Sequence, residues 1–344
     1  MTRQWILRRG SKRSGVRYVR EDGSPVRDRR TLERIDRLRI PPAWRDVHIA
    51  SAPGASIQAW GIDARGRRQY RYHDRAVERS ELRKFHRVRR MALDLPRIRR
   101  ALHADTAGRE LSRERVAALV LRLIGHGFFR VGGERYAREN RTFGLTTLRK
   151  GHVRVRGDCV IFDYPGKGAI RQRQVVADAS IASEVRRMLR TPGSRLFRFR
   201  SAGEWRDLSS RDVNEYLRRD IGGCYTAKDL RTWGGTLRLA TVLADIGPAR
   251  SVTEAKRNVA LGVRLVAAEL GNTPAICRAS YVHPIIIARY VDDGDTIAPP
   301  VRWRRSRFGY EPEERALIEF LERWFPERRR RERDQATRGA STAA

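Results

Sequence analysis

The chain has 344 residues and a formal net charge of +34, and 40% of its residues are hydrophobic. That hydrophobic fraction is enough for globular packing, so general disorder is excluded, and the length allows two domains. A positive field of this size indicates a polyanionic partner, and nucleic acid is the partner we expect. The sequence has neither a long apolar run nor a recognisable signal peptide, so we expect no membrane association.

Residues 1–80 are predicted to form a small β-rich domain. The runs GVRYVRED, ASIQAWGIDARG and RQYRYHD alternate polar and apolar residues, and Gly, Asp and Pro separate them. The paired prolines of IPPAW exclude a helix and predict a rigid extended segment at Ile40–Trp44. From about Ser80 to Arg100 the sequence is very basic and has helical periodicity, which predicts a connector between two domains.

Residues 81–326 are predicted to form a larger, mainly helical domain. Three serines stand at positions typical of helix N-caps: Ser112, Ser209 and Ser251. Glu254 completes a capping box with the last of them, and the helix that starts there is expected to stop at Gly271.

Three short alternating runs, HVRVRG, DCVIFDY and AIRQRQVV, predict a three-stranded sheet within this helical domain. The turn Pro165–Gly168 joins the last two runs, so Lys167 is expected near a hairpin tip, where a flexible cation can reach outward. Residues 327–344 are expected to form a disordered basic tail. The predicted fold is therefore α+β, with a small β-rich lobe and a larger, mainly helical lobe that bears the three-stranded sheet.

The choice of cation is informative, because only six of the 74 basic residues are lysines. Arginine offers phosphate a planar fork that keeps its charge, whereas lysine can also release a proton. A lysine in a suggestive place is therefore a candidate for proton transfer. The three cysteines lack any C-x-x-C spacing, which is typical of a reduced cytosolic protein without disulfides or a zinc site.

Four segments concentrate residues that could act together on a phosphodiester. They are FFRVGG with Arg130, the hairpin with Lys167, TAKDLRTWGGT with Arg231, and GNTPAICRASYVHP. In the last segment, Asn272 comes just before a predicted helix start at Thr273 and Pro274, and Tyr281 is expected on that short helix about two turns later. Each residue alone also has a purely structural interpretation: a salt bridge for an arginine, an N-cap for the asparagine, a core aromatic for the tyrosine.

Five further residues are candidate DNA contacts. Lys228 and Asp229 could position the scissile phosphate or only shape the start of their helix. Tyr70, Tyr72 and Tyr136 lie among basic residues and could touch DNA backbone or bases, or could pack against their own domain.

Together these motifs resemble the type IB DNA topoisomerases of poxviruses and bacteria, with KDLRTWG and GNTP-x5-SY as the most specific markers. The resemblance implies that double-stranded DNA is the partner, that the two lobes clamp around it, and that residues 81–326 are the catalytic domain. It implies that Tyr281 attacks the DNA to form a 3′-phosphotyrosyl bond. It also implies that Arg130 and Arg231 hold the phosphoryl oxygens and that Lys167 is the general acid for the leaving 5′ oxygen. Asn272 falls where many relatives carry histidine, so a hydrogen-bond donor is kept while a charge is removed.

The chemistry agrees with these roles. Developing phosphoryl charge needs preorganised donors, and a departing alkoxide needs a proton. A covalent intermediate stores the bond energy, so we expect no need for ATP, and the sequence contains no P-loop. It shows no obvious acidic metal cluster either, so we expect no metal or other cofactor. Two lobes around a duplex also suit a single chain that acts as a monomer. We expect it in the cytoplasm, associated with the nucleoid. Two alternatives stay open: a tyrosine recombinase or integrase, which shares this chemistry, and a non-catalytic architectural DNA-binding protein.

Overall fold

The chain divides into two compact units, Met1–Lys84 and Phe85–Ala344. The computed structural model describes residues 4–11, 15–108, 110–304 and 306–325. The predicted tail 327–344 lies outside these residues. No helix in the described part of the chain is both long and apolar enough to span a membrane.

Five antiparallel strands organise the first unit, as the alternating runs predicted. They are β1 (Trp5–Ser11), β2 (Gly15–Arg20), β3 (Arg45–Ala50), β4 (Ile57–Ile62) and β5 (Arg68–Tyr72). Their order in the sheet is β2-β1-β3-β4-β5. One helix, α1 (Arg29–Arg37), is N-capped by Asp28, which accepts from the Thr31 amide at 2.8 Å. Ile35 of α1 packs into a small core with Ile6 and Ile49 of the sheet.

The expectation of an extended IPPAW segment was wrong. The Trp44 amide donates to the Pro41 carbonyl at 3.1 Å, which closes a turn. The Arg8 guanidinium donates to the carbonyls of Pro41 and Trp44 from inside the bend. The prolines exclude a helix, as predicted. Their fixed φ angles also suit a turn, and here Arg8 donates hydrogen bonds to the carbonyls of that turn.

Helices dominate the second unit, which confirms the α+β prediction. They are α2 (Asp74–Leu93), whose first residues belong to the first unit, α3 (Leu95–Thr106), α4 (Arg113–Gly127), α5 (Glu134–Asn140), α6 (Ala179–Leu189), α7 (Ser210–Arg219), α8 (Ala227–Ile246), α9 (Val252–Leu270), α10 (Pro274–Ser280), α11 (Pro284–Asp293) and α12 (Pro312–Trp324). The predicted serine caps of α4, α7 and α9 are confirmed, and Gly271 ends α9 with φ 61°. Helix α4 is buried on almost every face from Val116 to Ile124, so the other elements surround it.

The predicted three-stranded sheet is also present, with β6 (Val153–Arg156), β7 (Cys159–Pro165) and β8 (Arg171–Ala177) in that order and antiparallel. Val160, Phe162 and Val176 on its inner face are buried in the core of the unit. A two-stranded ribbon, β9 (Arg198–Ser201) and β10 (Glu204–Asp207), completes the strands of the described residues.

Candidate active site

The loop after α4 carries Arg130, and hydrogen bonds to a buried neighbouring segment fix its backbone. The Leu145 amide donates to the Arg130 carbonyl at 2.9 Å, and the Thr146 amide donates to the Val131 carbonyl at 2.8 Å. The Thr146 hydroxyl donates to the same Val131 carbonyl at 2.9 Å. Since Leu145 and Thr146 are buried, this pairing sets the direction in which the Arg130 side chain leaves the loop.

The end of α9 gathers both predicted arginines. Arg231 Nη2 donates to the Leu270 carbonyl at 3.1 Å, and Arg130 Nη2 donates to the Gly271 carbonyl at 2.6 Å and to Asn272 Oδ1 at 2.5 Å. The last carbonyls of a helix have no partners within it and carry partial negative charge, so they suit guanidinium groups. Three consecutive residues therefore hold two cations next to each other.

Helix α8 fixes the backbone of Tyr281. The Thr236 hydroxyl lies 3.3 Å from the Tyr281 carbonyl and accepts from the His283 amide at 3.1 Å. A Cβ atom on Gly235 would lie only 2.9 Å from the Tyr281 carbonyl oxygen, so glycine makes this close approach possible. The prediction that Tyr281 lies within a short helix was wrong by one residue: α10 ends at Ser280, and Tyr281 is its C-cap.

Two cations of α8 lie over the Tyr281 ring. Arg231 Cζ is 5.3 Å from the ring centroid, and Lys228 Nζ is 5.8 Å from it. Residues three apart on a helix share one face, so the KDLR spacing places both cations toward the tyrosine. Cation–π contacts therefore hold the Tyr281 ring, while the contacts of Thr236 hold the backbone at Tyr281 and His283.

Arg231 is a buried cation with an incomplete set of partners. Only 3% of the residue is exposed, and its Nε atom has no hydrogen-bond partner among the described residues. Burial lowers the pKa of Arg231 to about 10, and the adjacent Tyr281 opposes that shift. The guanidinium is still charged at neutral pH. A buried charge without a carboxylate partner costs stability, and an arriving anion would compensate it.

Asn272 joins this group through its side chain. The oxygen Oδ1 accepts from Arg130, while Nδ2 is buried without a hydrogen-bond partner in the described part of the chain. The predicted helix start that follows it is confirmed, because Thr273 caps α10 and Pro274 is its first residue. The Asn272 amide therefore presents an unused donor beside Arg130.

Lys167 lies on the predicted hairpin, in a single 3₁₀ turn over Lys167–Ala169 between β7 and β8. Its side chain is exposed and has no hydrogen-bond or ion-pair partner within the described residues. The structure thus brings Arg130, Arg231, Asn272 and Tyr281 together, and it leaves Lys167 on the adjoining loop.

The five candidate DNA contacts differ in their surroundings. Tyr70 and Tyr72 are exposed on β5 with their ring centroids 5.8 Å apart, and Tyr136 is exposed on α5. Lys228 is exposed beside Tyr281. Asp229 is buried, with one oxygen bonded to the Thr226 amide and both oxygens to Arg87 at 2.8 Å. Asp229 therefore stabilises the start of α8, and its geometry gives no support to the predicted DNA contact.

Two residues that the sequence motifs did not single out lie next to the cluster: Tyr164 and Gln172. Burial raises the pKa of Tyr164 to about 12, and the nearby Arg130 and Arg231 oppose that rise. Its neutral hydroxyl donates to Gln174 Oε1 at 3.1 Å. Gln172 is buried against Gly166 and Gly271. Neither residue belongs to a motif that marks function, although inward-facing polar residues in an alternating strand were a usable signal.

Known proteins match this chain over most of its length. A family model for the eukaryotic DNA topoisomerase I catalytic core matches residues 73–296, and one for the bacterial DNA topoisomerase IB N-terminal domain matches residues 15–63. DNA topoisomerase 1B of Acanthamoeba polyphaga mimivirus is 32% identical over 259 residues, which cover 73% of this chain and 77% of the viral one. The vaccinia (strain Copenhagen) and monkeypox enzymes are each 24% identical over 77% of this chain and 83% of theirs.

The fold and these matches place the protein among the enzymes that change DNA topology. It belongs to the type IB DNA topoisomerase family, which confirms the resemblance seen in its motifs. This membership decides against the recombinase and the non-catalytic architectural protein.

Proposed function

We propose that this topoisomerase relaxes supercoiled DNA through a transient 3′-phosphotyrosyl intermediate formed by Tyr281. The observation that carries the proposal is the cluster at the end of α9, where Arg130, Arg231 and Asn272 present cations and an unused donor beside the tyrosine. A phosphodiester in this place would have its non-bridging oxygens met by preorganised donors.

The chemical steps follow from these positions. The Tyr281 oxygen attacks the phosphorus and loses its proton to water, while the bond from phosphorus to the 5′ oxygen breaks. Lys167 gives its proton to that oxygen, so a 5′-hydroxyl strand is released. Resealing is the reverse: the hydroxyl attacks the phosphotyrosine, its proton returns to the Lys167 amine, and Tyr281 leaves as phenoxide. General acid catalysis of this kind contributes roughly 10²–10⁴ in rate.

Relaxation should need neither ATP nor a metal, because the phosphotyrosyl bond conserves the energy of the phosphodiester. We expect the protein to relax a supercoiled plasmid that carries no recombination site, in EDTA and without ATP. The Tyr281→Phe variant should bind DNA as tightly as the wild type but neither relax it nor stay attached to it after denaturation in detergent. A strict magnesium or ATP requirement, or relaxation by Tyr281→Phe, would contradict the mechanism.

We also propose that one chain suffices, with its two units acting as a clamp around the duplex, and that it works in the cytoplasm on the nucleoid. All the chemical groups invoked come from a single second unit, which supports action as a monomer. Sedimentation of the DNA-bound protein would test the stoichiometry, and microscopy of a fluorescent fusion would test its location.

A further inference from the structure

The Gln172 side chain lies between two glycines on different segments of the second unit. A Cβ atom on Gly166 would be 2.5 Å from Gln172 Cγ, and one on Gly271 would be 2.9 Å from Gln172 Cδ. Gln172 is 9% exposed, although it belongs to a sheet whose neighbouring side chains Arg171 and Arg173 are exposed. Its amide therefore occupies a slot that exists only because both neighbours lack side chains.

One end of this slot belongs to the loop that carries Lys167. Gly166 directly precedes Lys167, and its amide donates to the Ile170 carbonyl at 2.8 Å to close the loop. Gln172 Nε2 lies 3.4 Å from the same Ile170 carbonyl. The side chain thus contacts both ends of the loop. On the other strand, the Phe143 amide donates to the Pro165 carbonyl at 2.8 Å, which holds the β7 side of the loop. Gln172 lies on the β8 side of the loop.

The other end of the slot belongs to the cluster of cations. The Gly271 carbonyl accepts from Arg130, and Asn272 follows it. The three atoms nearest to a Cβ atom on Gly271 would all belong to Gln172, and the nearest two on Gly166 would as well. Residues 167–170 are themselves exposed, so packing of their own side chains does little to fix them.

We propose that Gln172 is a positioning residue that sets the place of Lys167 relative to Arg130 and Asn272. The inference rests on the proposed function, in which Lys167 protonates the leaving 5′ oxygen. Misplacement of a reacting group by about 1 Å can cost 10²-fold in rate. We therefore expect Gln172→Ala to slow single-turnover cleavage of a duplex by about 10²-fold, with little change in DNA affinity.

A sulfur atom in place of the bridging 5′ oxygen separates this role from a general structural one. A thiol has a pKa of about 8.5, so a thiolate leaves without a proton donor. With the 5′-phosphorothiolate duplex, Gln172→Ala and Lys167→Ala should both cleave at nearly the wild-type rate. Arg130→Ala should stay slow on both substrates, because the phosphoryl oxygens still need their donor. Val175→Ala, on the exposed face of β8, is the matched control and should cleave both normally.

Gly166→Ala tests the slot from the other side. Its Cβ atom would collide with Gln172 Cγ, so the variant should cleave the oxygen substrate slowly and the sulfur substrate normally. Adding Gln172→Ala removes the collision, so the two effects should not add. The inference is overturned if Gln172→Ala cleaves the oxygen substrate at the wild-type rate or stays slow on the sulfur substrate. If the wild type forms no covalent complex with either duplex, the proposed function itself fails.

Discussion

At the scale of single residues, Asn272 combines two tasks in one amide. Its oxygen accepts from Arg130, and its nitrogen is the unused buried donor. Asn272→Asp keeps the size and the acceptor but replaces the donor with a negative oxygen. If the donor meets a phosphoryl oxygen, this variant should lose roughly 10²–10³ in cleavage rate, the usual effect of removing one such donor. Single-turnover cleavage of a suicide duplex measures it.

Asn272→His is the informative companion, because histidine also offers a donor at this place. It should retain much more activity than Asn272→Asp, even if its contact with Arg130 is imperfect. Equal losses in both variants would show that the contact with Arg130, rather than the free donor, is what cleavage requires. Thermal unfolding of both variants would show whether the fold is intact.

At the scale of elements, the junction of α8 with Tyr281 depends on Gly235. In a helix interior, Gly→Ala is normally stabilising by about 0.5–1 kcal/mol. Gly235→Ala should instead displace Tyr281, because its Cβ atom would meet the Tyr281 carbonyl. We expect cleavage to fall by tenfold or more, since displacements of this kind are costly in rate. Cleavage rates and melting temperatures are the measurements.

Gly125→Ala in α4 provides the matched control. A Cβ atom there meets no atom within 4 Å, so this variant should be as active as the wild type and slightly more stable. Wild-type cleavage by Gly235→Ala would contradict the view that α8 positions the tyrosine.

Several helix ends and one hairpin could be predicted from the sequence alone. The serine caps of α4, α7 and α9, the Gly271 stop and the hairpin around Lys167 follow from local rules, and the structure contains them all. The local rules failed at Ile40–Trp44, where Arg8, from a distant part of the sequence, donates hydrogen bonds to the carbonyls of a turn. The same limit applies to the site: the contact of Arg130 with Gly271 joins residues 141 positions apart, which no local pattern encodes.

Gln172 shows the limit most clearly. Its slot needs two glycines from separate segments and one polar residue on the inner face of a strand. Alternation along β8 predicts that the residue points inward, but not which backbone it meets. The candidate site residues could be read from motifs, whereas the contacts that hold them required the fold.

At the scale of the whole molecule, one sheet surface concentrates several of the arginines. The outer face of the β6-β7-β8 sheet carries four arginines that line a cleft of about 490 Å³: Arg154, Arg156, Arg171 and Arg173. Arg171 pairs with Asp163 at 2.7 Å, and the pKa of that carboxyl is lowered first by Arg171 and further by Arg173 and Arg154. In the described part of the chain the other three arginines have no carboxylate partner, so they can contact phosphates.

The dependence of binding on salt tests this surface. The slope of log K against log salt falls by about 0.9 for each phosphate contact that is lost. Replacing Arg154, Arg156 and Arg173 by Gln should therefore reduce the slope by up to about 2.7, with a long labelled duplex and Tyr281→Phe as the background. The control removes the same charge from arginines that each pair with a glutamate one helical turn away: Arg29, Arg219 and Arg315. It should leave the slope nearly unchanged. Equal changes in both variants would mean that net charge, and not contact through this sheet, governs the binding.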